Sequence, residues 1–164
     1  MKKFLVIFFS VACLYLISVC FSAQQEKNFV IDQSGILDSG QRKKLNDLFI
    51  NHEKNTTNQI VLLTTDTFYP DSTIEGYALE KFNSMGIGRK DIDNGVLIVF
   101  SSPLRKVRIE TGLGTAKVVT DSIAKNIIDS IMIPQFKQQK YFEGLWDASL
   151  AITTFLEKPE NKIK

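Results

Sequence analysis

The sequence predicts an α/β fold, a sheet with helices on each side, and three observations carry that prediction. Ile60 to Leu63 and Val96 to Phe100 are unbroken apolar runs of strand length, the pattern of strands covered on both faces. Apolar residues at helical spacing flank those runs: Leu45, Leu48, Phe49 and His52 before the first, and Ile74, Tyr77, Ala78, Phe82 and Met85 between the two. The chain is 164 residues long, 44% hydrophobic and 23% charged, which suits one compact core and is too short for two.

The elements follow in order. Met1-Lys2-Lys3 precedes an apolar stretch, Phe4 to Phe21, interrupted only by Ser10 and Ser18, and Ser22-Ala23 supplies a small-residue exit. A basic start, an apolar run and such an exit describe a secretory signal over residues 1–22. Residues 23–157 are then a single domain and residues 158–164 a polar tail, and the protein is expected in the periplasm or secreted. Ile17-Ser18-Val19-Cys20 loosely resembles the box before a lipidated cysteine, so a lipid anchor on Cys20 is an alternative to simple cleavage. An uncleaved anchor is a third reading, since eighteen residues just reach the length of a span. No later segment is long and apolar enough to cross a membrane.

Phe29 to Asp32 reads as a short strand or an extended arm, with a turn at Gly35. Asp38 with Gln41 forms a capping pair for a first helix that Asn55 to Asn58 ends. Ser72 with Glu75 opens a second helix, closed by Gly86 and Gly88. After the charged loop Gly86–Gly95 and the strand at Val96, Ser101-Ser102-Pro103 turns the chain into Lys106 to Glu110, whose alternation suggests one solvated face. Thr120 or Asp121 caps a third helix carrying Ile123, Ile127 and Ile131, expected to stop at Pro134. A fourth helix, Tyr141 to Leu156, carries Phe142, Leu145, Ser149, Ile152 and Leu156.

Composition excludes several chemistries. The chain has 20 basic and 18 acidic residues, and loss of Lys2 and Lys3 with the leader makes them equal, against the basic face a nucleic-acid partner requires. Both cysteines, Cys13 and Cys20, lie in the leader, so the mature domain has no disulfide, no thiolate nucleophile and no zinc ribbon. With His52 as the one histidine, two-histidine metal sites and most serine–histidine triads are excluded. Carboxylates, hydroxyls, amides and backbone remain.

Three motifs offer such groups. Asp91-Ile92-Asp93-Asn94-Gly95 puts two carboxylates and an amide at the mouth of a buried strand, oxygen chemistry suited to calcium or magnesium, although Asp-Asn-Gly is also an ordinary turn. Glu110-Thr111-Gly112-Leu113-Gly114 ends a strand in two glycines that either let amides converge on an anion or permit a tight bend. Thr120-Asp121 starts a helix. An antiparallel hairpin from Val96 to Thr111 returns the chain to its start, so Asp93, Asn94, Glu110, Gly112, Gly114 and Asp121 gather at one sheet edge.

Phe29-Val30-Ile31-Asp32 with Gly35-Ile36-Leu37, Gln59-Ile60-Val61, Phe82 to Gly88, Asp93 to Ile98, Val107 to Gly114 and Thr120-Asp121 form an ordered series that resembles the TPM domain family over nearly all of Phe29 to Leu156. The resemblance implies a three-layer α/β/α sandwich around a mixed sheet of about four strands. It also implies divalent-metal binding by acidic residues, with Asp32, Asp93 and Asp121 as candidate ligands, and in some members weak phosphatase activity. The membrane span and glycine-rich tail that follow the domain in many bacterial members are absent here. Connectivity separates the candidates: a parallel strand at Phe29 puts Asp32 at the opposite edge with Asp66, and only a wrapping arm brings it to Asp93 and Asp121. Two functions follow. One is an exported calcium-binding module, with magnesium as the alternative ion, serving assembly or repair of membrane-protein complexes. The other is a weak metal-dependent acid phosphatase in which the Gly112 and Gly114 amides hold phosphate oxygens.

Overall fold

The computed structural model describes residues 27–163; the leader expected over residues 1–22 lies outside them. Four strands form one mixed sheet in the order β1-β2-β3-β4: β1 Val30–Asp32, β2 Gln59–Thr64, β3 Gly95–Ser101 and β4 Lys106–Thr111. The first three are parallel, with Asp32 opposite Thr64 and Thr64 opposite Phe100, and β4 runs antiparallel to β3, with Thr111 opposite Val96. Phe29 to Asp32 is therefore a true parallel strand and not an arm. Every residue of β3 is buried, as its unbroken apolar run requires, whereas on β4 only Ile109 is buried, which fits an edge strand.

Helix α1, Ser39–Thr56, starts at a reciprocal cap: Asp38 accepts from the Gln41 amide and the Gln41 side chain accepts from the Asp38 amide. Helix α2, Ile74–Met85, begins one residue later than expected. Thr73, not Ser72, is the N-cap, and it accepts from the Gly76 amide. Gly86 ends α2 in the left-handed conformation. Short α3, Leu113–Ala116, follows β4 directly.

The third predicted helix does not stop at Pro134. α4, Asp121–Ile127, runs into a π turn, Ile128–Met132, and on into α5, Ile133–Phe136. Proline lacks the amide a continuing α-helix needs and its ring crowds the preceding turn; here the Ile133 amide reaches back five residues to the Ile128 carbonyl, and Pro134 falls in the first turn of a fresh segment. The wider turn shifts the buried stripe, so that Met132 is fully buried and Ile131 only half-buried. α6, Tyr141–Leu156, buries Leu145, Ser149, Ile152 and Leu156 as predicted, with Phe142 only half-buried. No helix among the described residues is long and apolar enough to cross a membrane.

Two helical layers enclose the sheet. Side chains alternate along β3, so Gly95 and Phe100 face opposite sides. A side chain at Gly95 would meet Phe82 of α2, while Phe100 stacks on Phe136 with ring centroids 4.3 Å apart. α2 thus covers one face, and the α4–α6 segment covers the other, with α1 packed along α6. Leu45 and Phe49 of α1, Leu62 and Ile98 of the sheet, and Leu145 and Ile152 of α6 are fully buried. Each such side chain contributes about 1.5–3 kcal/mol.

Candidate functional site

The predicted site residues divide between the two ends of the sheet. At the amino end of β3, Asn94 is wholly buried: its Nδ2 donates to the Thr57 carbonyl (2.8 Å) and to Asn58 Oδ1 (3.1 Å), and its Oδ1 accepts from the Arg89 amide (2.9 Å). Asn94 ties the loop after α1 to the loop before β3, so its amide is not available as a ligand. Asp93 sits at φ 47, with its amide donating to the Arg89 carbonyl and its own carbonyl accepting from the amides of Gly114 (3.1 Å) and Thr115 (3.2 Å).

These contacts explain the glycines and correct the phosphate-cradle reading. The Gly112 amide donates to the Gly95 carbonyl and the Gly114 amide to that of Asp93, so neither is free to hold an anion. What glycine supplies is close approach: a Cβ would lie 2.3 Å from the Asp93 oxygen at position 112, and 1.9 Å from the Ile92 oxygen at position 114.

Two carboxylates of the predicted set remain uncommitted. Those of Asp93 and Asp121 are exposed, and neither has a hydrogen-bond or ion-pair partner among the described residues. Asp121 opens α4, whose N-cap Thr120 accepts from the Ile123 amide, and a carboxylate in a first turn complements the helix dipole. The others are engaged. Arg108 holds Glu110 Oε2 through Nε (2.9 Å) and an η nitrogen (2.8 Å). The Arg89 guanidinium grips Asp91 and holds its carboxyl below the usual carboxylate range. Thr115 Oγ1 is buried and without a partner among the described residues. No three histidine, cysteine or acidic side chains come together as a metal cage among the described residues.

Asp32 lies at the other end, as a parallel β1 dictates. Its carboxylate is only 1% exposed and accepts from the amides of Ile36 (3.2 Å) and Leu37 (3.0 Å), from Thr64 Oγ1 (2.5 Å) and from Arg42 (3.4 Å). It pins the turn between β1 and α1 and cannot share an ion with Asp93 and Asp121, so the family-based addition of Asp32 to that site is corrected. His52 is buried on the apolar stripe of α1 with Nδ1 3.0 Å from Glu157 Oε1; burial outweighs the carboxylate and holds the imidazole below its ordinary value of 6.5.

Sequence reasoning missed a cleft of about 430 Å³ at the carboxyl end of β3, lined by Phe100, Arg105, Lys106, Phe136, Lys137 and Tyr141 among others. Basic residues interleaved with aromatics, from Phe136-Lys137 to Lys140-Tyr141, were its signal in the sequence.

A four-stranded mixed sheet between helical layers, with an acidic rim buttressed by backbone-packed glycines, defines a compact α/β sandwich. The TPM domain family matches residues 30–155, and the chain belongs to it. Among solved structures, the N-terminal domain of a P. gingivalis protein is similar at 26% identity, covering 86% of this chain and 89% of that one, with a TM-score of 0.76. The N-terminal domain of the cg2496 protein of Corynebacterium glutamicum shares the fold at 11% identity, 82% and 83% coverage and TM-score 0.63. The BA42 protein of Bizionia argentinensis does so at 22%, 76% and 88%, and 0.59. No curated protein matches the chain.

Proposed function

We propose that this TPM domain is an exported binding module that takes a hard divalent cation, calcium rather than magnesium, on Asp93 and Asp121, and that the loaded edge docks on a membrane-protein complex of the cell envelope. The observation that carries the reading is that the carboxylates of Asp93 and Asp121 are uncommitted, whereas Asp91 and Glu110 are held by arginines and the Gly112 and Gly114 amides by carbonyls. The donor chemistry fits a hard cation, being all oxygen, and fits an open site completed by water better than a closed cage. Two charges on flexible side chains suit calcium, which tolerates irregular geometry, and weak binding of about 10⁻⁴–10⁻³ M, the range of extracellular modules. The leader pattern of residues 1–22 supports export. The phosphatase alternative has lost the glycine cradle assigned to it, which favours binding over hydrolysis.

Calorimetric titration with calcium and magnesium tests this. Asp93→Asn and Asp121→Asn should each weaken calcium binding at least about tenfold, 1.4 kcal/mol, without unfolding the domain. Calcium should also raise the melting temperature of the parent protein by mass action. An unchanged melt and no heat at millimolar calcium would refute the proposal.

A further inference from the structure

We propose that the cleft at the carboxyl end of β3 binds a small organic phosphate carrying a planar ring, of the size of a nucleoside monophosphate. Its volume, about 430 Å³, lies within the roughly 300–1,000 Å³ of small-molecule sites. The walls divide by chemistry. Phe100, Phe136 and Tyr141 form an aromatic cluster, with Phe136 and Tyr141 centroids 5.9 Å apart, and Ile133 and Val107 complete an apolar wall. Arg105, Lys106 and Lys137 supply positive charge, and the lining contains no acid.

In a chain whose charges nearly balance, three cations around one cavity without a counter-charge are a specific concentration of potential. None of the three side chains has a hydrogen-bond or ion-pair partner among the described residues. All three are exposed, and a bound anion would supply the counter-charge that the lining lacks. A phosphate dianion meets that demand better than a single carboxylate, since guanidinium pairs with it in a bidentate fork and lysine as a point charge. The rings select a flat apolar group on the same molecule.

Arg105 is held at φ 51 in the turn between β3 and β4, a conformation that glycine or asparagine adopts at lower cost. Replacing it with glycine therefore separates binding from stability. The cleft lies at the opposite end of β3 from Asp93, so this inference stands apart from the cation site, and a titration containing chelator keeps the two distinguishable.

The experiment is a chelator-containing NMR titration of the purified protein with AMP, with inorganic phosphate and with adenosine. AMP should give saturable amide shifts confined to Phe100–Val107 and Ile133–Tyr141, with Kd of about 0.1–1 mM, and each half-ligand should bind at least about tenfold more weakly. Arg105→Gly and Lys137→Gln should each weaken AMP binding about fivefold or more, while Arg105→Gly keeps or raises the melting temperature. Absence of saturable shifts up to about 10 mM AMP, equal affinity for phosphate or adenosine alone, or full AMP affinity in Arg105→Gly would overturn the proposal.

Discussion

Gly114→Ala separates the two readings of the glycine motif. The new Cβ would lie 1.9 Å from the Ile92 oxygen, against an ordinary contact of 3.4–4 Å, so that carbonyl must withdraw by about 1.5 Å. The movement carries Asp93 with it, whose carbonyl holds the amides of Gly114 at 3.1 Å and Thr115 at 3.2 Å. Two hydrogen bonds at about 1 kcal/mol each, with about 1–3 kcal/mol of overpacking, are offset by about 0.4–1 kcal/mol from the stiffer unfolded chain. The net loss is about 2–4 kcal/mol, a fall in melting temperature of roughly 6–15 °C for a domain of this size. Gly86→Ala serves as the comparison: at φ +62 with nothing within 4 Å, it carries only the left-handed penalty of about 1 kcal/mol. Circular-dichroism melts and urea titrations of both variants read the difference. If Gly114→Ala melted within about 2 °C of the parent, the spacer role would be refuted.

Asp32→Ala should destabilise the domain by about 3–4 kcal/mol, because it leaves the Ile36 and Leu37 amides and Thr64 Oγ1 without their acceptor; urea titration measures it, and calcium affinity of the folded fraction should be unchanged. His52 is neutral in the folded domain below the pH at which the unfolded chain protonates it. Its contribution is therefore complete above about pH 6.5 and is lost as pH falls from there through the depressed folded-state value. Melting temperatures from pH 7 to 5 should consequently fall more steeply in the parent than in His52→Gln, and parallel curves would exclude His52 as the cause.

The sheet was readable because its strands are saturated with apolar residues: Val96 to Phe100 admits no solvated face, and β3 has none. The reciprocal cap of α1 was equally legible, since Asp38 and Gln41 act through local hydrogen bonds. At α2, Ser72 and Thr73 are both competent caps by composition, and the helix uses the second, with Ile74 and Tyr77 buried. Candidate ligands were harder to separate from scaffold. Asn94 and Gly114 have compositions compatible with either role, and only partners distant in sequence, Thr57 and Ile92, decide it. The cleft escaped notice because its cations and rings come from a hairpin turn and from segments beyond Pro134, where the expected helix ended.

The π turn also fixes a phase relation. Each residue advances an α-helix by about 100°, and the π turn absorbs one residue without passing that rotation on, because the Ile133 amide meets the Ile128 carbonyl where an ordinary turn would have placed the residue before it. If the same residues ran as an unbroken α-helix, everything downstream would turn by about that angle relative to Ala124 and Ile127. Phe136 would then swing away from Phe100, and Met132 would leave the interior. The bulge thus works as a spacer that takes up one surplus residue, and deleting that residue would close the turn while leaving Phe136 against Phe100.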